Sequence, residues 1–223
     1  MKITTKKSPS KSKATKEPKK EKILKAAKKV FCHYPYSTAS MRMIANEARV
    51  DHPLVIYYFS TKAVLFETVL KDLIEQYKQA MPGWFLGIRE MGMVDGVSTY
   101  LDRALGFHFE HPEIFRIILL NMTQSVKKGE MVPSYQLIQD IFNMWANEFS
   151  RRPRFNIEPE QIVSFIRCIS LLMLNLIGAR EYHAEIQDMD PKSDAYLRWV
   201  KKQIMFIVVP VLIRFDETVK SLI

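Results

Sequence analysis

The chain has 223 residues, of which 48% are hydrophobic, with 7 Gly, 11 Pro, 2 Cys and a net charge of +9. This length accommodates one large helical domain or a small domain joined to a larger one, and no run shows the strict alternation of a half-buried strand, which excludes a β protein. Cys32 and Cys168 lie in apolar helical patterns without CxxC or His–Cys spacing, which excludes a disulfide framework and a zinc site; they read as reduced core residues of a cytoplasmic protein with no cofactor.

Residues 1–18 contain no aromatic residue and are expected to form a disordered basic tail. The lysines there precede no apolar run, so the segment does not read as a secretory signal. From Pro18 onward Ile23, Leu24, Ala27, Val30 and Phe31 recur at helical spacing, and Pro35 ends this first helix by disfavouring helical backbone at Tyr34. Ser40 caps a second helix with the stripe Met41, Ile44, Ala45, Ala48. Arg49 and Val50 make a turn, and Asp51 caps a third helix that tolerates Pro53 in its first turn. A fourth helix is predicted over about 61–79, ending at Met81-Pro82-Gly83. Further helices are predicted at about 96–110, 112–125, 132–150, 159–184 and 193–219, divided by His111-Pro112, Lys128-Gly129, Arg152-Pro153 and Asp190-Pro191. Neither apolar stretch spans a membrane, because 162–179 contains Arg167 and 204–213 is too short.

The third helix has two apolar sides. Val50, Val55 and Phe59 form a buried set, while Pro53, Leu54 and Tyr57 project away, flanked by Ile56 and Tyr58. Charge concentrates beside it: residues 1–22 hold nine Lys and two Glu, residues 23–62 hold six basic and two acidic groups, and the rest of the chain is net acidic by two. A polyanion contacted at one end of the molecule accounts for this asymmetry, although a solubilising tail alone accounts for its first part. Three helices with a tight turn before the last fit the helix-turn-helix plan, in which the final helix enters the major groove. His52 can bond a base or phosphate, Pro53 and Leu54 can meet thymine methyls, and the Tyr57 and Tyr58 hydroxyls suit phosphate oxygens. Arg42, Arg49 and Lys62 add cationic contacts, and Thr38, Ser40 and Thr61 add hydroxyl donors.

The ordered combination of ILKAAKKVF, Tyr36, Ser40-Met41, Ile44-Ala45, Ala48, Val50, Leu54-Val55, Tyr57-Tyr58-Phe59, Lys62 and Leu65-Phe66 resembles the DNA-binding domain of the TetR (tetracycline repressor-like) family of transcriptional regulators. Downstream, HPEIFRIIL at 111–119 also resembles a helix start of that family. Pro35 and Arg49 stand where the family usually has Gly, and Arg49 must then adopt a left-handed backbone at a cost of about 1 kcal/mol or alter the turn. Ile56 replaces an aromatic often present.

In the body, the predicted helices 159–184 and 193–219 are apolar nearly all round and must be covered on more than one side. A kink is predicted at Pro210. A second copy packed through Phe165, Ile169, Leu172, Trp199, Phe206, Val209 and Ile213 would form a four-helix interface, which is also what the resemblance implies, while a larger intrachain core is the alternative. A homodimer would place two reading helices on successive major-groove faces of a double-stranded DNA operator. A surplus of aromatics and methionines in between can line an apolar ligand cavity. Its candidate residues are Tyr100, Phe107, Phe115, Phe142, Trp145 and Met173, with Arg103, Asn121, Asn143 and Asn175 as polar anchors. Ordinary core packing is the competing use of each. The resemblance implies a small-molecule effector bound there that weakens DNA binding.

The expected architecture is therefore all-α with about nine helices: a tail at 1–18, a three-helix helix-turn-helix domain at 19–66 and a larger helical effector-binding and dimerisation domain at 67–223. The fourth helix couples the two domains rigidly. No catalytic constellation emerges, since His108, Glu110, His111 and Glu113 match no strong metal motif. The expected function is that of a dimeric repressor released by a largely apolar effector. The alternative is an effector-independent DNA-binding protein of the same fold whose body recruits a protein partner.

Overall fold

A computed structural model describes residues 18–122, 124, 140, 143–144 and 158–215, with the side chains of 159, 162 and 215 left aside. These residues are all-helical or in turns, with no strand among them. In chain order the elements are α1 (Lys19–His33), α2 (Met41–Ala48), α3 (His52–Phe59), α4 (Lys62–Trp84), a 3-10 turn (Ile88–Glu90), α5 (Met93–Glu110), α6 (Glu113–Met122), α7 (Pro159–Gly178), α8 (Arg180–Ile186) and α9 (Asp194–Phe215). The tail at 1–17 and most of the helix predicted at 132–150 lie outside the described residues; within that helix Asp140, Asn143 and Met144 are helical.

The amino-terminal helices form where capping and apolar spacing require them. α1 buries Ile23, Ala26, Ala27, Val30 and Phe31, and it stops at Tyr34, whose extended backbone (φ −127°, ψ 131°) is the conformation that a following proline imposes. Ser40 Oγ accepts the Met43 N–H at 3.2 Å and caps α2. Asp51 stands at the cap position of α3 without the expected side-chain bond; the α3 start relies on Pro53, whose missing N–H leaves one fewer donor to satisfy. Thr61 Oγ1 accepts the Val64 N–H at 3.2 Å and starts α4. Phe66 of α4 is fully buried, with Phe31 edge-on at 4.9 Å and Tyr36 at 5.0 Å, a burial that stabilises the domain by about 2–3 kcal/mol.

Two helix boundaries differ from the sequence expectation. α4 continues through Pro82 to Trp84 instead of ending near Gln79. A proline costs one hydrogen bond to the carbonyl four residues earlier, and the extra turn offsets that loss by burying Trp84 edge-on against Tyr77 at 5.0 Å. Arg103 of α5 then collects the carbonyls that the helix end leaves open, its Nη1 donating to Leu86 O at 2.5 Å and to Gly83 O and Trp84 O at 3.4 Å. The helix predicted over 159–184 is two helices, α7 and α8, bent by 75°. At the break, a Cβ on Gly178 would sit 3.0 Å from the Phe115 carbonyl oxygen, so glycine permits the close approach of α7 to α6. Arg116 Nη1 takes the Gly178 carbonyl at 2.9 Å. The described part of α9 runs on through Pro210 as one helix.

α6 sits between the amino-terminal helices and the body. Its Asn121 accepts the Tyr36 N–H at 2.8 Å and donates to the Ile117 carbonyl at 2.8 Å. Its Arg116 donates through Nε to the Cys32 carbonyl at 3.3 Å and pairs with Glu181 of α8 at 2.8 Å. Behind it, Tyr196 of α9 is fully buried and donates to the Leu176 carbonyl at 2.6 Å. No single helix among the described residues is long and apolar enough to cross a membrane.

Candidate nucleic-acid interface

The turn between α2 and α3 depends on a non-glycine residue in a left-handed conformation. Arg49 has φ 51° and ψ 52°. Its N–H donates to Asn46 O and the Val50 N–H donates to Ala45 O, both at 3.0 Å, which is the Schellman pattern that closes a helix C-terminus. The usual glycine is thus replaced without change of turn, and an exposed guanidinium is added beside α3. At the other end, Ser60 (φ 53°, ψ −60°) is the centre of a three-residue turn, with the Thr61 N–H donating to Phe59 O. This strained turn bends α3 from α4 by 67°. Periodicity gives no signal for it.

These two turns fix which side chains α3 presents. Val55 and Phe59 are buried, while Tyr57 is 79% exposed, Pro53 and Ile56 are exposed, and His52 is half-buried at the helix start. Tyr58 is half-buried, with its ring edge-on to Tyr57 at 5.2 Å. Leu54 departs from expectation: it is half-buried and packs on the core, as does Val50, which was expected to be buried. Leu54 instead lines an open groove with Lys19, Asn46, Arg49 and Asp51. That groove brings Lys19, in the first turn of α1, next to Arg49. Lys19 was missed in the sequence as an individual residue, although the basic run around it was the available signal. Arg42 is exposed on α2.

Lys62 and Thr38 are placed differently from the phosphate contacts expected of them. Lys62 Nζ donates to the carbonyls of Tyr36 at 2.7 Å and Ala39 at 2.9 Å, lies 4.3 Å from the centre of the Tyr36 ring, and has its pKa lowered by burial. It therefore ties the 36–39 loop to the start of α4, because a half-buried ammonium needs partners close at hand. The Thr38 hydroxyl donates to Pro35 O at 3.3 Å and is turned back into its own loop. Ser40 serves as the α2 cap described above, and its hydroxyl hydrogen remains available.

Three of the four polar anchors expected in the body have partners elsewhere. Arg103 closes the end of α4 and Asn121 holds Tyr36, so both are needed by backbone groups that would otherwise be unpaired. Asn175 is exposed and pairs with His183 at 2.6 Å, and Asn143 is exposed. Met173 and Phe115 are buried, while Phe107 and Tyr100 are half-buried, with Tyr100 stacked on Phe85 at 4.9 Å. Phe142 and Trp145 lie outside the described residues. His108, weighed in the sequence only as a metal or catalytic residue, is fully buried against rings: Phe115 at 4.1 Å, Phe107 at 5.4 Å, Tyr77 and Trp84 at 5.5 Å. Its position in the stripe Leu101, Ala104, Leu105, His108 was the available signal. His111 and Glu110, by contrast, are exposed, and among the described residues no cluster of His, Cys, Asp or Glu could hold a metal.

Of the residues expected at a chain–chain interface, Phe206 is 80% exposed and Ile213 is exposed, with Leu171 and Ile207 beside them as further exposed apolar groups. Phe165, Ile169, Leu172 and Val209 are half-buried. Trp199 is also half-buried, stacked on Tyr196 at 5.6 Å.

An exposed apolar and aromatic helix held by a tight turn behind a capped second helix defines a helix-turn-helix protein of the DNA-binding class. Residues 23–69 match the family model for bacterial regulatory proteins of the tetR family. It is 28% identical over 102 residues to the HTH-type transcriptional repressor SCO4008 of Streptomyces coelicolor, covering 46% of this chain and 48% of that one. With the HTH-type transcriptional repressor NicS of Pseudomonas putida it shares 27% identity over 112 residues, 49% of this chain and 50% of that one. The chain thus spans about half the length of these curated repressors. The fold is that of a TetR-like transcriptional regulator from Rhodococcus sp. RHA1 (TM-score 0.56, 16% identity, 86% of this chain and 96% of that one). These relatives are regulators of transcription, not enzymes.

Proposed function

We propose that the chain is a homodimeric, sequence-specific DNA-binding repressor that a small, largely apolar effector releases from its operator. The observation that carries the reading is Tyr57, 79% exposed on a helix whose opposite side is buried. Leaving a tyrosine of a short, core-anchored helix in water is explained when that helix enters a groove. His52, Pro53, Tyr57 and Tyr58 form the reading surface, and Lys19, Arg42 and Arg49 neutralise phosphates on its flanks. Exposed Phe206 and its neighbours on α7 and α9 support the dimer, because an apolar strip of this kind is covered in a stable assembly.

Selection of bound genomic fragments by the purified chain tests the reading directly. A near-palindromic site is expected, and Tyr57→Ala should bind it about tenfold more weakly with unchanged thermal stability. Equal affinity of the variant would reject the assigned face. In the same preparation Phe206→Lys should sediment as a monomer and lose most operator affinity; a dimeric variant would reject the assigned interface.

A further inference from the structure

His108 buries both ring nitrogens without a hydrogen-bond partner. Proteins seldom leave such atoms unmatched. The four rings around it come from three helices: Tyr77 and Trp84 from α4, Phe107 from α5 and Phe115 from α6. We propose that this aromatic box is a binding site for a small, uncharged aromatic molecule carrying a donor–acceptor group, a carboxamide or phenol, with His108 bonding that group. The inference rests on the effector reading above and names the chemical class of the effector.

Three observations set that class. Burial pushes the imidazole down to about 3, so it is neutral at physiological pH and offers one N–H donor and one bare nitrogen acceptor. Among the described residues, the charged groups on the neighbouring helix turns are engaged elsewhere or face solvent. Arg103 is held by the α4 carbonyls, Asp102 pairs with Lys201 at 2.6 Å, Arg116 pairs with Glu181, and Glu110 and His111 face solvent. A charged ligand would then lose its hydration without a partner. Finally, the walls are ring faces and edges, which select a planar guest. Phe107 gives the route in, because its ring is half-exposed and lies between Trp84 at 5.4 Å and the exposed His111 at 4.9 Å. Turning that side chain outward would open the box to solvent beside His108.

The test uses the full chain with ¹⁵N-labelled histidine and three probes of similar size: benzamide, toluene and benzoate. Benzamide should bind more tightly than the other two and shift the ring ¹⁵N resonances of His108, assigned by their loss in His108→Phe. It should bind His108→Phe about tenfold more weakly and be largely restored by His108→Gln, which keeps a donor and an acceptor. Equal affinity for wild type and His108→Phe would overturn the proposal, as would benzoate or toluene matching benzamide, or the failure of all three to bind. Release of operator DNA is followed in parallel. Binding through His108 without release supports the site and rejects the effector reading instead.

Discussion

Replacing His108 by phenylalanine should make the protein more stable, and increasingly so as the pH falls. In the folded chain the imidazole sits among four rings with both nitrogens unpartnered, and burial, with His111 contributing, lowers its pKa from 6.5 to about 3. The unfolded chain therefore binds a proton on this residue from about pH 6.5 downward while the folded chain does not. Stability rises with pH wherever the unfolded state holds more protons, so this residue costs nothing extra above 6.5 and destabilises progressively as the pH falls towards 3. Each pH unit in that window is worth about 1.4 kcal/mol, which gives about 3 kcal/mol at about pH 4.5. To this the unmatched nitrogens add a pH-independent cost of about 1–3 kcal/mol. Phenylalanine removes both terms and keeps a ring in the box. Guanidinium melts of the two proteins at equal protomer concentration, from about pH 7.5 to about pH 4.5, should show His108→Phe ahead by about 1–3 kcal/mol at the upper end. The gap should then widen by about 3 kcal/mol at the lower end. Parallel stability curves would refute the neutral buried imidazole, whatever their offset.

Arg49→Gly should raise stability by about 1 kcal/mol, because it removes the left-handed strain at φ 51°. It should also lower the salt slope of operator binding by about one ion; a variant that gains stability with an unchanged slope would remove Arg49 from the phosphate contacts. Lys62→Met should lose about 2–3 kcal/mol of stability with its two carbonyl bonds and its contact with the Tyr36 ring. Weakened DNA binding at full stability would show instead that Lys62 touches DNA itself. Iodoacetamide at about pH 8 should alkylate Cys168, which is exposed, and spare Cys32, whose thiol is pushed up to about 12 by burial and by the nearby Glu113 charge. Mass spectrometry of the peptides reads the outcome, and labelling of native Cys32 at a comparable rate would contradict it.

Apolar spacing and punctuation made most of the helices legible. Pro35, Ser40 and Thr61 act locally, so their effect on neighbouring backbone is written beside them, and α1, α2 and α4 begin or end there. For Arg49 the family resemblance, with its usual Gly, left two outcomes, a left-handed residue or an altered turn, and the structure has the first. What escaped was set by distant partners. Arg103 and Asn121 look like spare polar groups on apolar helices until the carbonyls after Gly83 and the N–H of Tyr36 are brought to them in space. Lys62 reads as a surface cation beside a DNA-binding motif, and only the fold places two carbonyls under it. Likewise α4 outruns Pro82 because Tyr77 and α5 receive Trp84, and Gly178 breaks the long apolar helix because α6 passes within a methyl's reach.

The ties from α6 to the amino-terminal helices limit how portable the reading head is. A chimera that moves residues 18–61 onto another regulator's body would strip the Tyr36 N–H of Asn121 and the Cys32 carbonyl of Arg116. The transplanted helices would keep their own caps but lose the contacts that set their attitude to the new body. A working graft has to carry a matching α6, so the transferable unit is a pair of segments distant in sequence, residues 18–61 and α6, not one contiguous cassette.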